Sequence, residues 1–159
     1  MKKYILIAIL AIAGFTSVAA QPRAIGVNLG YGIDVSYQHS IGEANMVDMS
    51  LNMPIPFGIG ATVTYDWINP GGTTIPWNYK GDWNWNVGVG AGVGTYAFLI
   101  MYAGAVGHVG VSYDFWFPLQ LSIDYRPNIG VGYTFDDGTV EFNTLGLYNL
   151  SLGVRYYFY

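Results

Sequence analysis

Three stretches of this chain have residue types that could do chemistry. In WNWNVGVGAGVG (residues 83–94), Gly88, Gly90, Gly92 and Gly94 fall on every second position, and glycine-rich turns can cradle phosphates. His108, Ser112 and Asp114 offer a base, a nucleophile and an orienting acid, and His39-Ser40 repeats two of them. Asp136-Asp137-Gly138 offers the hard oxygen donors that calcium takes.

Spacing argues against each. A dinucleotide fingerprint reads G-x-G-x-x-G between a strand and a helix, whereas this run reads G-x-G-x-G-x-G, with no helical period after it and no Walker-type Lys-Ser/Thr. On a strand, His108 and Ser112 share a face, but their Cα atoms are about 13 Å apart at ~3.3 Å per residue. Asp136-Asp137-Gly138 lacks the rest of a calcium loop and reads as a turn. Two distant histidines and no cysteine make no compact metal-ligand set. The sequence therefore predicts no catalytic residue, no cofactor and no metal.

The elements that position these residues follow from a period of two. From 24 to 39, Ile25, Val27, Leu29, Tyr31, Ile33, Val35 and Tyr37 alternate with Ala24, Gly26, Asn28, Gly30, Gly32, Asp34 and Ser36. Strands alternate faces in this way. The pattern recurs over 45–53, 59–67, 83–97, 103–117, 119–133 and 148–158, and no helical period appears after the first twenty residues. Turn-forming residues separate the runs at Ser40–Ala44, Pro54–Gly58, Asn69–Gly81, Pro118 and Asp136–Thr139.

The first twenty residues have a different character. Lys2 and Lys3 precede an apolar run from Tyr4 to Phe15, and Val18-Ala19-Ala20 fits a small-residue cleavage site. Residues 1–20 read as a cleaved secretory signal peptide and 21–159 as one domain. The domain carries four basic residues, Arg23, Lys80, Arg126 and Arg155, against ten acids. That balance excludes a nucleic-acid partner, which needs clustered Lys and Arg. Charged residues make up 10% of the chain, too few to coat a water-facing surface in the usual way.

The small face decides which side meets water. It offers Gly, Ser, Thr, Asn and Asp, which suit a narrow lumen, and the large apolar face then meets lipid. A sheet in hydrocarbon must close, and runs of this length suffice to cross. The expected fold is all-β: a closed antiparallel up-and-down transmembrane barrel in the outer membrane. Seven runs and an even-strand rule give eight strands, with the extra hairpin at Gly30-Tyr31-Gly32, centred on Gly32. The tight connections Ser40–Ala44 and Phe117-Pro118 are assigned to the periplasmic end. Tyr37, Tyr65, Trp67, Trp83, Trp85, Tyr113, Phe115, Tyr156 and Phe158 then form an aromatic girdle there. Tyr96, Phe98, Tyr102, Tyr133 and Phe135 form the outer one. Asp34, Asp48, Asp66, His108, Asp114, Asp124, Arg126 and Arg155 share the lumen as a polar network, because buried charges need partners. Arg155 is expected to pair with Asp124 or Asp34, and His108 to hydrogen-bond a neighbouring strand.

The closing Ser151-Leu152-Gly153-Val154-Arg155-Tyr156-Tyr157-Phe158 resembles the strand signal of small Gram-negative outer-membrane barrels: polar, x, Gly, x, x, aromatic, x, aromatic. SYQHSIGEAN, NWNVGVGAGVG and FPLQLSIDYRP resemble uncharacterised members of that OmpA/OmpX-like, eight-stranded group. The resemblance implies a monomeric barrel whose last strand is read by the assembly machinery and whose partners are outer-membrane lipids. It implies no activity. The leading expectation is a non-enzymatic structural or surface-interaction protein, the short loops weakening an adhesive role. The rivals are a lipid-modifying enzyme, a narrow channel, and a barrel holding a small hydrophobic ligand. Lipid A deacylases, barrels of similar size, carry a His-x-Ser spacing that both histidines here lack.

Overall fold

A computed structural model describes residues 20–55, 57–77 and 80–158. The expected leader lies outside them except for Ala20. Ten strands run β1 Ala20–Leu29, β2 Gly32–Ile41, β3 Asn45–Pro54, β4 Gly60–Ile68, β5 Gly81–Tyr96, β6 Ile100–Phe115, β7 Gln120–Tyr125, β8 Asn128–Thr134, β9 Thr139–Asn143 and β10 Leu150–Tyr157. Each pairs antiparallel with its neighbours, and β10 pairs with β1 to close the sheet.

Ten strands make eight staves. β6 pairs with β8 along Ile100–Val106 and with β7 along Val109–Asp114, so β7 and β8 are one stave broken at Arg126-Pro127. Pro127 has no N–H for the ladder. Its carbonyl instead accepts the Gly107 N–H at 2.9 Å. Opposite this break, a 3-10 turn at Leu145–Tyr148 separates β9 from β10, which pair with β8 and β7 respectively. The Arg126 N–H donates to the Asn149 carbonyl at 2.8 Å, and the Tyr125 hydroxyl to the Leu147 carbonyl at 2.8 Å. The result is a closed, eight-strand, up-and-down antiparallel barrel.

Alternation sorts the side chains. On β4, Gly60, Thr62, Thr64, Asp66 and Ile68 are buried, and Val63, Tyr65 and Trp67 between them are exposed. The same holds round the barrel, so the interior is mostly polar and the exterior is a field of exposed Val, Leu, Ile, Met and aromatics.

Several expectations need correction. Leu29 faces Ile33 and Gly30 N–H reaches the Gly32 carbonyl at 3.0 Å, so the first hairpin is centred on Tyr31, not Gly32. The last stave starts at Thr139, before the run read from 148, and Tyr148 lies in the 3-10 turn. The run 119–133 looked continuous because Arg126 keeps the inward parity across the break. Tyr102 is buried in the lumen, on the same side of β6 as Val106 and His108, and stacks on Tyr96 at 4.7 Å. Both therefore leave the outer girdle, while Phe98, Tyr133 and Phe135 stay exposed. The connections 42–44, 69–80 and 116–119 share one end with the barrel's two terminal strand ends. Yet the tightest turn, 30–31, lies at the opposite end with 55–59, 97–99 and 135–138, so loop length does not single out the end holding Ser40–Ala44 and Phe117-Pro118.

Close strand approach requires glycine at Gly90, where a Cβ would run into the Val63 carbonyl and the Thr64 backbone. Gly90→Val is expected to destabilise the barrel by about 1–3 kcal/mol, the usual cost of overpacking. Val89→Leu, on the exposed face, should stay within about 0.5 kcal/mol. Urea unfolding of the two refolded variants measures the difference.

Candidate functional site

The lumen is filled by a lattice of charged and amide side chains. At its centre, Arg155 from β10 is 1% exposed. Its Nη2 contacts Asp124 at 2.8 Å and Asn28 at 2.9 Å, its Nε contacts Ser36 at 2.8 Å, and its Nη1 contacts Gln120 at 3.3 Å and also Ser122. Thus one guanidinium joins β10 to β1, β2 and β7. Gly153 is bare for a reason: a Cβ there would crowd Ser122, Asn28 and Arg155 itself.

His108 from β6 bridges two acids, with Nδ1 at 2.6 Å from Asp66 and Nε2 at 3.0 Å from Asp124. Ionised carboxylates only accept, so these two contacts suit an N–H on each ring nitrogen, while the Asn86 amide nitrogen also lies 3.3 Å from Nδ1. Asn86 on β5 donates to Asp66 at 2.9 Å, Thr64 to Asp66 at 2.6 Å, and Ser122 to Asp124 at 2.6 Å. A Cβ on Gly88 would collide with the Asp66 carboxylate, so the alternate glycines of β5 leave space for the lattice.

Arg126, at the break between β7 and β8, reaches across the lumen to Asp48 on β3 at 3.1 Å. Gln38 on β2 donates to the same oxygen at 3.1 Å. Asp48 is thus met by Arg126, Asp124 by Arg155 and His108, and Asp66 by His108. Every stave contributes to this lattice.

Asp114 belongs to a second cluster nearer the chain ends, receiving Gln120 at 2.7 Å and Asn84 at 2.9 Å, with Arg23 at 3.5 Å. Asp114, Asn84 and Arg23 line an open vestibule of about 870 Å³, whose far wall is residues 69–72 and Thr74. Asn69 tethers the 69–80 connection to Asn84 at 2.7 Å, and the Trp85 indole donates to the Thr73 carbonyl at 3.0 Å.

All eight sequence-predicted lumen residues point inward, and the expected Arg155–Asp124 pair forms. Asp34 is inward but lies apart, on the wall of a small cavity beside Arg126. The aromatics assigned to one girdle gather at the end holding the strand termini, where Trp83 packs on Tyr113 at 5.1 Å, Tyr65 on Trp67 at 5.3 Å and Tyr156 on Phe158 at 5.1 Å. Trp85 lies partly under the 69–80 connection, and Tyr37 bonds His39 at 3.0 Å, away from the lumen. Sequence reasoning missed Arg23, whose parity should face it outward. A register shift between Pro22 and Ala24 inserts an extra residue and turns Arg23 toward Asp114. The amides Asn28, Gln38, Asn86 and Gln120 sat on the polar face but carried no local mark of their partners. Asp136 and Asp137 lie exposed in the 135–138 turn.

Comparison with protein-family models, with curated proteins and with solved structures finds no match to this chain.

Because removing one member strands a buried charge, Arg155→Met is expected to destabilise the barrel by about 3–5 kcal/mol. In the double variant with Asp124→Asn, the two losses should sum to more than the combined effect, by about 0.5–3 kcal/mol. Equilibrium denaturation of the four-member cycle reads this coupling. Strict additivity would mean the two groups do not interact.

Proposed function

We propose that the chain is a non-enzymatic integral outer-membrane barrel whose working surface is its outer wall and rims. One observation carries this reading: the barrel is inside out for a water-soluble protein. Leu29, Leu51, Val89, Ile123, Val131 and Leu152 all stand more than half exposed on the outer wall, while Arg155, Asp124 and His108 are buried within. Soluble monomers rarely expose continuous apolar surface on this scale. Among the described residues no helix is long and apolar enough to cross a membrane, so the placement rests on strands. Strands of nine to sixteen residues make up six of the staves, enough to cross a hydrocarbon core where about 9–11 suffice. Tyr and Trp at one rim suit a membrane–water interface.

Exported by residues 1–20 and monomeric, such a protein would meet outer-membrane lipids along its wall. The assembly machinery would read Ser151, Gly153, Tyr156 and Phe158 on the last strand. The filled, charged lumen weighs against both an interior hydrophobic ligand and an open pore. A buried His108 ring whose two nitrogens are both held by carboxyl groups weighs against it as the base of a lipid-modifying enzyme.

Leu152→Arg separates membrane from soluble placement. In a bilayer, an arginine on the lipid face costs about 2–4 kcal/mol near the midplane, whereas an exposed site on a soluble barrel tolerates it within about 0.5 kcal/mol. Folding of the variant into lipid vesicles should show the larger loss. The wild type should fractionate with outer membranes, resist urea extraction and leave planar bilayers silent. Recovery in the soluble periplasm would overturn the reading, and sustained conductance steps would favour the narrow channel.

A further inference from the structure

Between the lattice and the end bearing the 30–31 turn lies a cavity of about 30 Å³. Asp34, Asn52, Tyr102 and Arg126 wall it, and Tyr31 stands half exposed at its mouth. Its free space accommodates roughly two waters, at about 10–15 Å³ each. Arg126 gives Nη2 to Asp48, yet its Nε and Nη1 are buried without a partner among the described residues. The Asn52 side chain on the same wall bonds Tyr102, but its Oδ1 is buried without a partner among the described residues. Buried guanidinium donors are seldom left so, because their desolvation then goes uncompensated.

We propose that this cavity is a recognition site for the vicinal diol of a neutral sugar. Arg126 offers two donors to hydroxyl oxygens, and Asp34 and Asn52 offer acceptors to hydroxyl protons. An anionic ligand would meet the Asp34 carboxylate, and the lattice cations Arg126 and Arg155 are already met by Asp48 and Asp124. A cationic ligand would meet the Arg126 guanidinium. A neutral diol satisfies both sides. Its two adjacent oxygens also reproduce a hydrogen-bonded pair of waters, and a ligand that displaces ordered water must replace its bonds. The sugar ring itself stays outside the narrow part, against Tyr31 at the mouth and Tyr96, which stacks on Tyr102 at 4.7 Å. Nothing in this requires the barrel to sit in a membrane, so it stands or falls apart from the proposed placement.

The test titrates the full-length folded barrel, in micelles of a detergent without a sugar head, with methyl pyranosides while following the Arg126 Nε–H resonance. A methyl pyranoside with a free vicinal diol is expected to shift it saturably. The matching deoxy sugar should bind at least about tenfold more weakly, the minimum for leaving a charged donor unpaired. Asn52→Leu, outside the lattice, should also weaken binding at least about tenfold. A long-chain alkyl glycoside titrated alongside distinguishes sources: equal affinity assigns a soluble sugar, and a gain of about tenfold or more assigns a glycolipid. The proposal is overturned if no pyranoside gives a saturable shift, or if the deoxy sugar binds equally. It is also overturned if acetate or methylammonium produces the same shift, or if Asn52→Leu leaves affinity unchanged.

Discussion

The buried guanidinium of Arg155 sets the terms for the rest of the barrel. A charge at 1% exposure is sustained only by partners that surround it. Here they come from three neighbouring strands at once: Asn28 from β1, Ser36 from β2, and Gln120, Ser122 and Asp124 from β7. Through Asp124 the constraint passes to His108, through His108 to Asp66, and from there to Asn86. Such a chain of contacts requires a closed sheet with one particular stagger. A one-residue slip in any stave would turn its lattice member to the outer face.

The division of residue sizes follows from the same constraint. A narrow barrel interior holds few large side chains, so the lattice members are interleaved with Gly88, Gly110 and Gly153, whose missing side chains are occupied by neighbouring polar groups. Large apolar residues displaced from the inside stand on the outer wall, and aromatic pairs cluster at the rim near the strand termini. The wall's irregularity at Pro127 and Leu145–Tyr148 fits this scheme. It occurs where Arg126 leaves the ladder to reach Asp48, and its freed backbone groups are met by Gly107, Asn149 and the Tyr125 hydroxyl.

Much of this was legible in the sequence, because a period of two over most of the chain leaves strands as the only reading and an excess of apolar surface demands closure. Inward placement of Asp34, Asp48, Asp66, Asp114, Asp124, His108, Arg126 and Arg155 follows from parity alone. Their pairing mostly does not. Arg126 meets Asp48 across the lumen, a relation set by stagger and strand tilt, which leave no trace in either residue's neighbourhood. Local departures were also hidden. The Pro22–Ala24 register shift reverses Arg23 without disturbing the pattern after it, and the break at Pro127 preserves parity on both sides. Tyr96 and Tyr102 were assigned outward by residue type, although their own strand's parity places Tyr102 inside.

The central claim, a polar lattice inside and lipid outside, is tested most directly by spin labels along β3, since the native chain has no cysteine. Single cysteines at Val47, Met49, Leu51 and Met53, with Ser50 and Asn52 as inward positions, would be labelled in the barrel refolded into lipid vesicles. Collision with dissolved oxygen and with a water-soluble nickel complex is then measured. The account predicts a period of two: the four outward positions respond to oxygen and ignore nickel, and the two inward positions are immobilised and reached by neither. Outward positions that collide freely with the nickel complex would place that wall in water and contradict it.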